Sequence, residues 1–231
     1  MELNSKTALI TGGSSGIGKA IAELFIEKGM KVIILGLNKP DYPSEFHKVD
    51  LKNEKEILSA LSKINKIDIL VNNAGIAKVT KLQDTSSKDF DEMFNVNFRG
   101  MFLVSKYCLP KLNKNSCIIN ISSLAGIKSF SEYSVYCATK SAVISLTKTL
   151  ALELADKKIR ANCIAPGIID TGIWGKMYGK NGRKELKENE KFVLLKRSGK
   201  PEEIAQTAVF ICENDYINGE TILVDGGESI Q

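Results

Sequence analysis

The chain has 231 residues, 43% hydrophobic and 26% charged, which suits one α/β domain or two small ones and excludes a disordered chain. Its 32 basic and 27 acidic residues leave a net charge of +5, but no five or six cations run together, so nucleic acid is not an expected partner. The mild positive field suits anionic substrates or an acidic carrier protein only weakly.

No apolar run approaches the ~18 residues of a membrane span, so no membrane partner is expected. Met1–Lys6 does not read as a signal peptide. Five cysteines (108, 117, 137, 163, 212) without a CxxC pair read as reduced core thiols, and together these features point to the cytoplasm. The single histidine, His47, cannot build a metal site alone, so no metal is expected.

Thr7–Thr11 reads as a short apolar strand. It runs into Thr11-Gly12-Gly13-Ser14-Ser15-Gly16-Ile17-Gly18 and then a helix pattern that stops at Gly29. Glycines let a backbone approach a pyrophosphate, and a helix N-terminus offers unpaired N–H groups. The spacing is Gly-x-x-x-Gly-x-Gly rather than the commoner GxGxxG.

Lys31–Leu35 is the second strand. It ends at Gly36, Leu37, Asn38 and Lys39, without the acid that often binds an adenosine ribose there. Pro40–Pro43 breaks the chain, and Glu45–Val49 makes a brief third strand with no room before it for a crossover helix. Asp50, before Leu51, is either a turn residue or an acceptor for an adenine amino group. Asn53–Glu56 resembles a capping box for a helix to about Ile64.

Ile67–Val71 is a fourth strand, ending in Asn72-Asn73-Ala74-Gly75, small and amide residues that let a cofactor pass closely. Ser87 to about Asn113 reads as one long helix, apolar on more than one face and with Asn97 inside it. That amide either bends the helix or holds a water.

Cys117–Ser122 is a buried strand that delivers Ser123 to a carboxyl end, where open α/β sheets bind ligands. From Tyr136 a helix continues to about Ala155, with Tyr136 and Lys140 one turn apart on one face. A phenol has a pKa of roughly 10. A fixed ammonium nearby favours the phenolate, so this pair is a candidate general acid/base, with Ser123 holding a substrate oxygen beside it.

Ile159–Ala165 is another strand, followed by Pro166-Gly167-Ile168-Ile169-Asp170-Thr171. Residues 172–197 are weakly periodic and polar, a candidate substrate lid. Pro201 opens a helix to about Glu213, and Glu220–Val224 is the last strand. No repeat or linker divides residues 1–231, so a single domain is expected.

Taken together these pieces resemble the short-chain dehydrogenase/reductase family, essentially end to end. The matching residues are Thr11-Gly12-x-x-x-Gly16-x-Gly18, Asn72-Asn73-Ala74-Gly75, Asn97, Ser123, Tyr136-x-x-x-Lys140 and Pro166-Gly167, in order and in spacing. The resemblance implies a single doubly wound Rossmann-type α/β domain with a seven-stranded parallel sheet flanked by helices. It implies Tyr136 as the acid that protonates a carbonyl, Lys140 lowering its pKa and binding the nicotinamide ribose, Ser123 polarising the carbonyl, and Asn97 holding a water that relays protons.

It also implies that Gly12, Ser14, Ser15, Ile17 and Gly18 line the pyrophosphate, and that Asp50 and Leu51 touch adenine. Asn73 and Ala74, before Gly75, would flank the adenosine-side ribose and the ring, while Ile169 and Thr171 contact the carboxamide. Many members are homotetramers, paired through two long apolar helices, so a tetramer or dimer is expected.

This chain departs from the family at Gly36, where NAD-preferring members carry Asp. It also lacks the Arg or Lys that NADP-preferring members often place at the positions of Ser15 and Leu37. A missing carboxylate leaves room for a 2′-phosphate within reach of Asn38 or Lys39, a slight lean to NADP over NAD. The expected reaction joins a ketone and a secondary alcohol, on a 3-oxoacyl chain borne by an acyl carrier or similar thioester, or on a sugar, polyol or cyclic diol. A silent nucleotide-sensing protein is the reading from another class.

Overall fold

The computed structural model describes all 231 residues. Successive residues of a strand face opposite sides of its sheet, and here both sides are apolar. In β1 (Thr7–Thr11) Ala8 and Ile10 join one core cluster and Leu9 the other. In β2 (Lys31–Gly36) Val32 and Ile34 are set against Ile33 and Leu35 in the same way. Strands greasy on both faces belong in a parallel sheet covered by helices.

One seven-stranded sheet forms, in the order β3 (Glu45–Lys48), β2, β1, β4 (Ile67–Asn72), β5 (Leu112–Ile121), β6 (Arg160–Pro166), β7 (Thr221–Val224). Every neighbouring pair is parallel. The order reverses between β1 and β4, which opens a crevice above the carboxyl ends of the strands. This is the doubly wound Rossmann-type sheet that the resemblance implies.

The helices are α1 (Gly16–Glu27), α2 (Glu54–Ser62), α3 (Ser87–Phe94), α4 (Met101–Cys108), α5 (Ser134–Glu153), α6 (Ile173–Tyr178), α7 (Gly182–Asn189) and α8 (Pro201–Glu213). Phe25 of α1 and Ile204 of α8 are fully buried in the cluster on one side of the sheet. Val104 of α4 and Leu150 of α5 belong to the cluster on the other side.

The helix expected from Ser87 to about Asn113 is not one regular helix. Between α3 and α4, Asn95–Gly100 winds as a π-helix. Pro110, which cannot donate a helical hydrogen bond, sits in the turn that ends the segment. Leu112 and Asn113 already belong to β5, with Leu112 paired to Ile67 before a bulge. That strand opening is polar, so the apolar run alone placed its start at Cys117. Residues 172–197, read as irregular, contain α6 and α7 joined by tight turns. Phe90, Phe102 and Leu152 leave apolar surface on the outer faces of α3, α4 and α5, with Leu152 81% exposed. No helix is long and apolar enough to cross a membrane.

Candidate active site

A cleft of about 630 Å³ runs along the carboxyl ends of the central strands. Its first wall is the turn from β1 to α1. Gly12 takes φ +68°, and a Cβ there would come within 2.9 Å of the Ala74 backbone. Asn73 locks this turn: its Nδ2 donates to the carbonyls of Thr11 and Gly12, both at 3.0 Å. The Thr11 hydroxyl accepts in return from the N–H groups of Asn73 and Ala74. Ser15 precedes α1 without a side-chain cap, so the first N–H groups of α1 stay unpaired beside the cleft.

Uncapped donors and a glycine cradle fit the pyrophosphate of a dinucleotide. At the end of β2, a Cβ on Gly36 would meet nothing closer than 3.7 Å. The position is therefore open to a bulkier group. The short 38–44 segment is strapped over the turn: the Tyr42 hydroxyl donates to the Gly13 carbonyl, and Lys19 pairs with Asp41 at 2.7 Å.

The second wall is built where β5 meets α5. Ser122 donates to the Lys140 carbonyl at 2.8 Å and so ties the strand end to the helix. Ser123 and Tyr136 both line the cleft. Lys140 is buried, and its Nζ donates to the Ile121 carbonyl at 3.0 Å and lies 5.7 Å from the centre of the Tyr136 ring. The π-turn carries Asn97 against α5. Its Oδ1 accepts from Ile76 N–H, while its Nδ2 donates to the Ile76 carbonyl and to Thr139. Gly75 fits between: a Cβ there would stand 3.4 Å from Asn97 Oδ1 and 3.5 Å from Lys140 Nζ.

Burial dominates the electrostatics of this pair. Burial pushes the Tyr136 phenol up to about 12, although the Ser123 hydroxyl beside it pulls the other way. Burial also pulls the Lys140 ammonium down to about 8. Burial therefore holds the phenol as an acid rather than ionised.

The cleft gathers Gly12, Ser14, Ser15, Ile17, Gly36, Asn38, Asp50, Leu51, Asn73, Ala74, Gly75, Ser123, Tyr136, Lys140, Pro166, Gly167, Ile169 and Thr171. Three expected residues lie outside its lining. Gly18 packs behind the turn, where a Cβ would strike Asn73 Nδ2 at 2.3 Å and the Gly12 carbonyl at 2.5 Å. Asn97 sits behind Gly75, with both amide protons engaged by protein partners. Lys39 is exposed beside the cleft rather than within it.

Other residues complete the wall. Phe130, Tyr133 and Glu228 line the cleft, and the Tyr133 hydroxyl meets that of Tyr178 at 2.8 Å. Trp174 also lines it and stacks on Tyr178. The only sequence signal for Glu228 was its place just beyond Gly226-Gly227 at the end of β7.

Known proteins resemble the chain over nearly its whole length. A family model described as enoyl-(acyl carrier protein) reductase matches residues 12–229. The 3-oxoacyl-(acyl-carrier-protein) reductase FabG of Thermotoga maritima is 37% identical over 98% of this chain and 99% of its own. An NAD-dependent glycerol dehydrogenase of Listeria innocua is 32% identical over 99% and 96%. The ligand-free aldohexose dehydrogenase of Thermoplasma acidophilum superposes with a TM-score of 0.93 at 33% identity, over 99% of this chain and 96% of that one. The chain belongs to the short-chain dehydrogenase/reductase family of NAD(P)-dependent oxidoreductases.

Proposed function

We propose that the protein interconverts a ketone and a secondary alcohol, with Tyr136 exchanging the proton of the substrate oxygen. The observation that carries this reading is the meeting of Tyr136, Ser123 and Lys140 in the same cleft as the uncapped start of α1. The nicotinamide coenzyme, when bound, supplies the hydride donor or acceptor. Gly12, Ser14, Ser15 and Ile17 would hold its pyrophosphate, Asp50 and Leu51 its adenine, and Ile169 and Thr171 its carboxamide.

Ser123 orients the carbonyl, and the neutral phenol of Tyr136 donates to it during reduction. Lys140 remains largely cationic at pH 7 and stabilises the phenolate left behind. Asn97 acts through position, holding Gly75–Ile76 against α5. Its side-chain protons are already engaged, so a proton-relay water would rest on the π-turn backbone instead.

Residues 172–197 act as a lid, contributing Trp174, Lys176, Met177 and Asn189 to the cleft. The five free cysteines support a reducing cytoplasm, and the exposed apolar faces of α3, α4 and α5 support a homo-oligomer. A carrier-bound 3-oxoacyl thioester is favoured by the lid's eight Lys and Arg against three Glu. A polyol is favoured by the carboxylate taken up below.

Nothing anionic at Gly36 opposes a 2′-phosphate, and Asp41 is neutralised by Lys19. NADPH should therefore bind a few-fold more tightly than NADH in direct titrations at equal salt. Gly36→Asp should move that ratio at least about tenfold toward NADH. A ratio unmoved by Gly36→Asp would show that this turn does not read the ribose. Coenzyme binding without turnover of any carbonyl or alcohol would favour the silent sensor.

A further inference from the structure

The C-terminal turn after β7 puts a carboxylate into the cleft. Glu228 is only 7% exposed, yet it lines the cavity beside the Pro166–Gly167 turn. Its Oε2 takes the N–H of Ile168 at 3.1 Å and sits so close to Gly167 that a Cβ there would approach to 2.7 Å. No protein donor reaches Oε1, and that atom is not sealed from solvent.

The carboxylate is held in place from several sides. Asp225 accepts from the N–H groups of Gly227 and Ser229. Lys128 donates to the carbonyls of Glu228 and Gln231. Gly226 and Gly227, both at positive φ, pack against Val193 and Leu194 at the end of the lid segment.

A largely buried carboxylate oxygen with no protein donor takes its hydrogen bonds from the cleft, from water or from a ligand that displaces it. Burial indeed pushes Glu228 up from the usual carboxylate range. Lys140 and Lys176 line the same cleft and repel a cationic ligand, while Glu228 itself repels an anionic one. A neutral hydroxyl donor satisfies both constraints. Phe130, Tyr133 and Trp174 add apolar faces, and the indole N–H of Trp174 is fixed on the Ile169 carbonyl at 2.9 Å. Aromatic faces beside a carboxylate match a molecule with C–H faces and hydroxyl edges.

Resting on the oxidoreductase reading above, we infer that Glu228 is a specificity-determining residue whose free carboxylate oxygen accepts from substrate hydroxyls, selecting a neutral polyhydroxylated ketone or alcohol over an acyl chain.

The test compares two ketones of equal heavy-atom count, dihydroxyacetone and 3-pentanone, together with an acetoacetyl thioester. The wild type should prefer dihydroxyacetone. Glu228→Gln keeps an acceptor for Ile168 N–H but loses the charge. It should lower kcat/KM for dihydroxyacetone about ten- to a hundredfold while leaving 3-pentanone within about twofold. Glu228→Leu should reverse the preference.

Calorimetric titration of an aldohexose into wild type and Glu228→Gln reads the same contact without turnover, and the variant should bind more weakly. Equal losses on all three carbonyl substrates, or a Glu228→Gln variant that behaves as wild type, would overturn the inference and reduce Glu228 to an anchor for the turn. A thioester preference that Glu228→Gln leaves intact would overturn it in favour of the carrier-borne class. Tyr136→Phe separates the two levels: its loss of 3-pentanone reduction upholds the oxidoreductase reading even where Glu228 proves neutral. Weaker sugar binding in Glu228→Gln with no turnover by any form upholds the contact and removes the reading.

Discussion

Replacing Tyr136 by Phe is expected to lower kcat/KM for carbonyl reduction about a thousandfold while leaving coenzyme affinity within about threefold. The change removes one oxygen and keeps the ring, which packs edge-on to Tyr133 with centroids 6.2 Å apart. The wall of the cleft therefore survives. What disappears is the phenol hydroxyl beside Ser123 that hands a proton to the substrate oxygen. A phenol held near 12 is fully protonated there, so the wild type carries the acid in its active form for reduction. Steady-state kinetics and coenzyme titration on the same preparation check this. Full turnover by Tyr136→Phe would show that the proton comes from elsewhere.

Lys140→Met should act on activity and stability in opposite directions. Activity should fall about a hundredfold or more, because the phenolate formed in each reductive turnover loses its counter-charge. Stability at pH 7 should nevertheless rise. Lys140 is held at about 8 against an ordinary 10.5, so below about 8 its buried charge penalises the fold in full. Between those two values the unfolded chain keeps a proton that the folded protein has released. The wild type therefore gains stability from this group as pH rises through that window.

Methionine occupies a similar volume without the charge, but it abandons the bond to the Ile121 carbonyl. The net gain expected at pH 7 is on the order of 1–2 kcal/mol, shrinking as pH approaches 10.5. Denaturant titrations of variant and wild type at pH 7 and pH 10 read the difference directly. Titrating groups away from Lys140 cancel in that comparison. A Lys140→Met protein less stable at pH 7 would mean that the buried ammonium is better compensated than its surroundings indicate.

The sheet was legible because strands such as Val32–Leu35 are apolar without interruption and the turns after them carry glycines or amides. The polar opening of β5 was not, since Asn113–Ser116 carry no apolar side chain and are held across the bulge by polar bonds, Asn113 to Asp68 and Ser116 to the Ile67 carbonyl. The π-turn at Asn95–Gly100 also left no periodic trace, because one widened turn hardly disturbs a helical pattern already apolar on two faces.

At the site, residues whose function needs backbone geometry or chemistry announced themselves: Gly12, Tyr136 and Lys140. Asn73 and Gly18 were read as contacts for a ligand, whereas Gly18 packs behind the turn and Asn73 spends its amide locking it from the cleft wall. Glu228 was invisible because its burial depends on Lys128, Asp225 and the Val193–Leu194 segment, all distant in sequence or uninformative alone. Sign of charge was legible, but its depth was not, and depth is what holds Tyr136 and Lys140 away from their ordinary values.

The most direct test of hydride transfer in this cleft is isotopic. A ketone that the protein reduces is incubated with NADH or NADPH deuterated on one face of the nicotinamide C4 or on the other, and the alcohol is examined by mass spectrometry and NMR. The predicted result is one deuterium per alcohol, on the carbinol carbon, from one of the two faces only. Alcohol without deuterium from either face, or deuterium exchanged with solvent, would contradict direct transfer and with it the role assigned to the cleft.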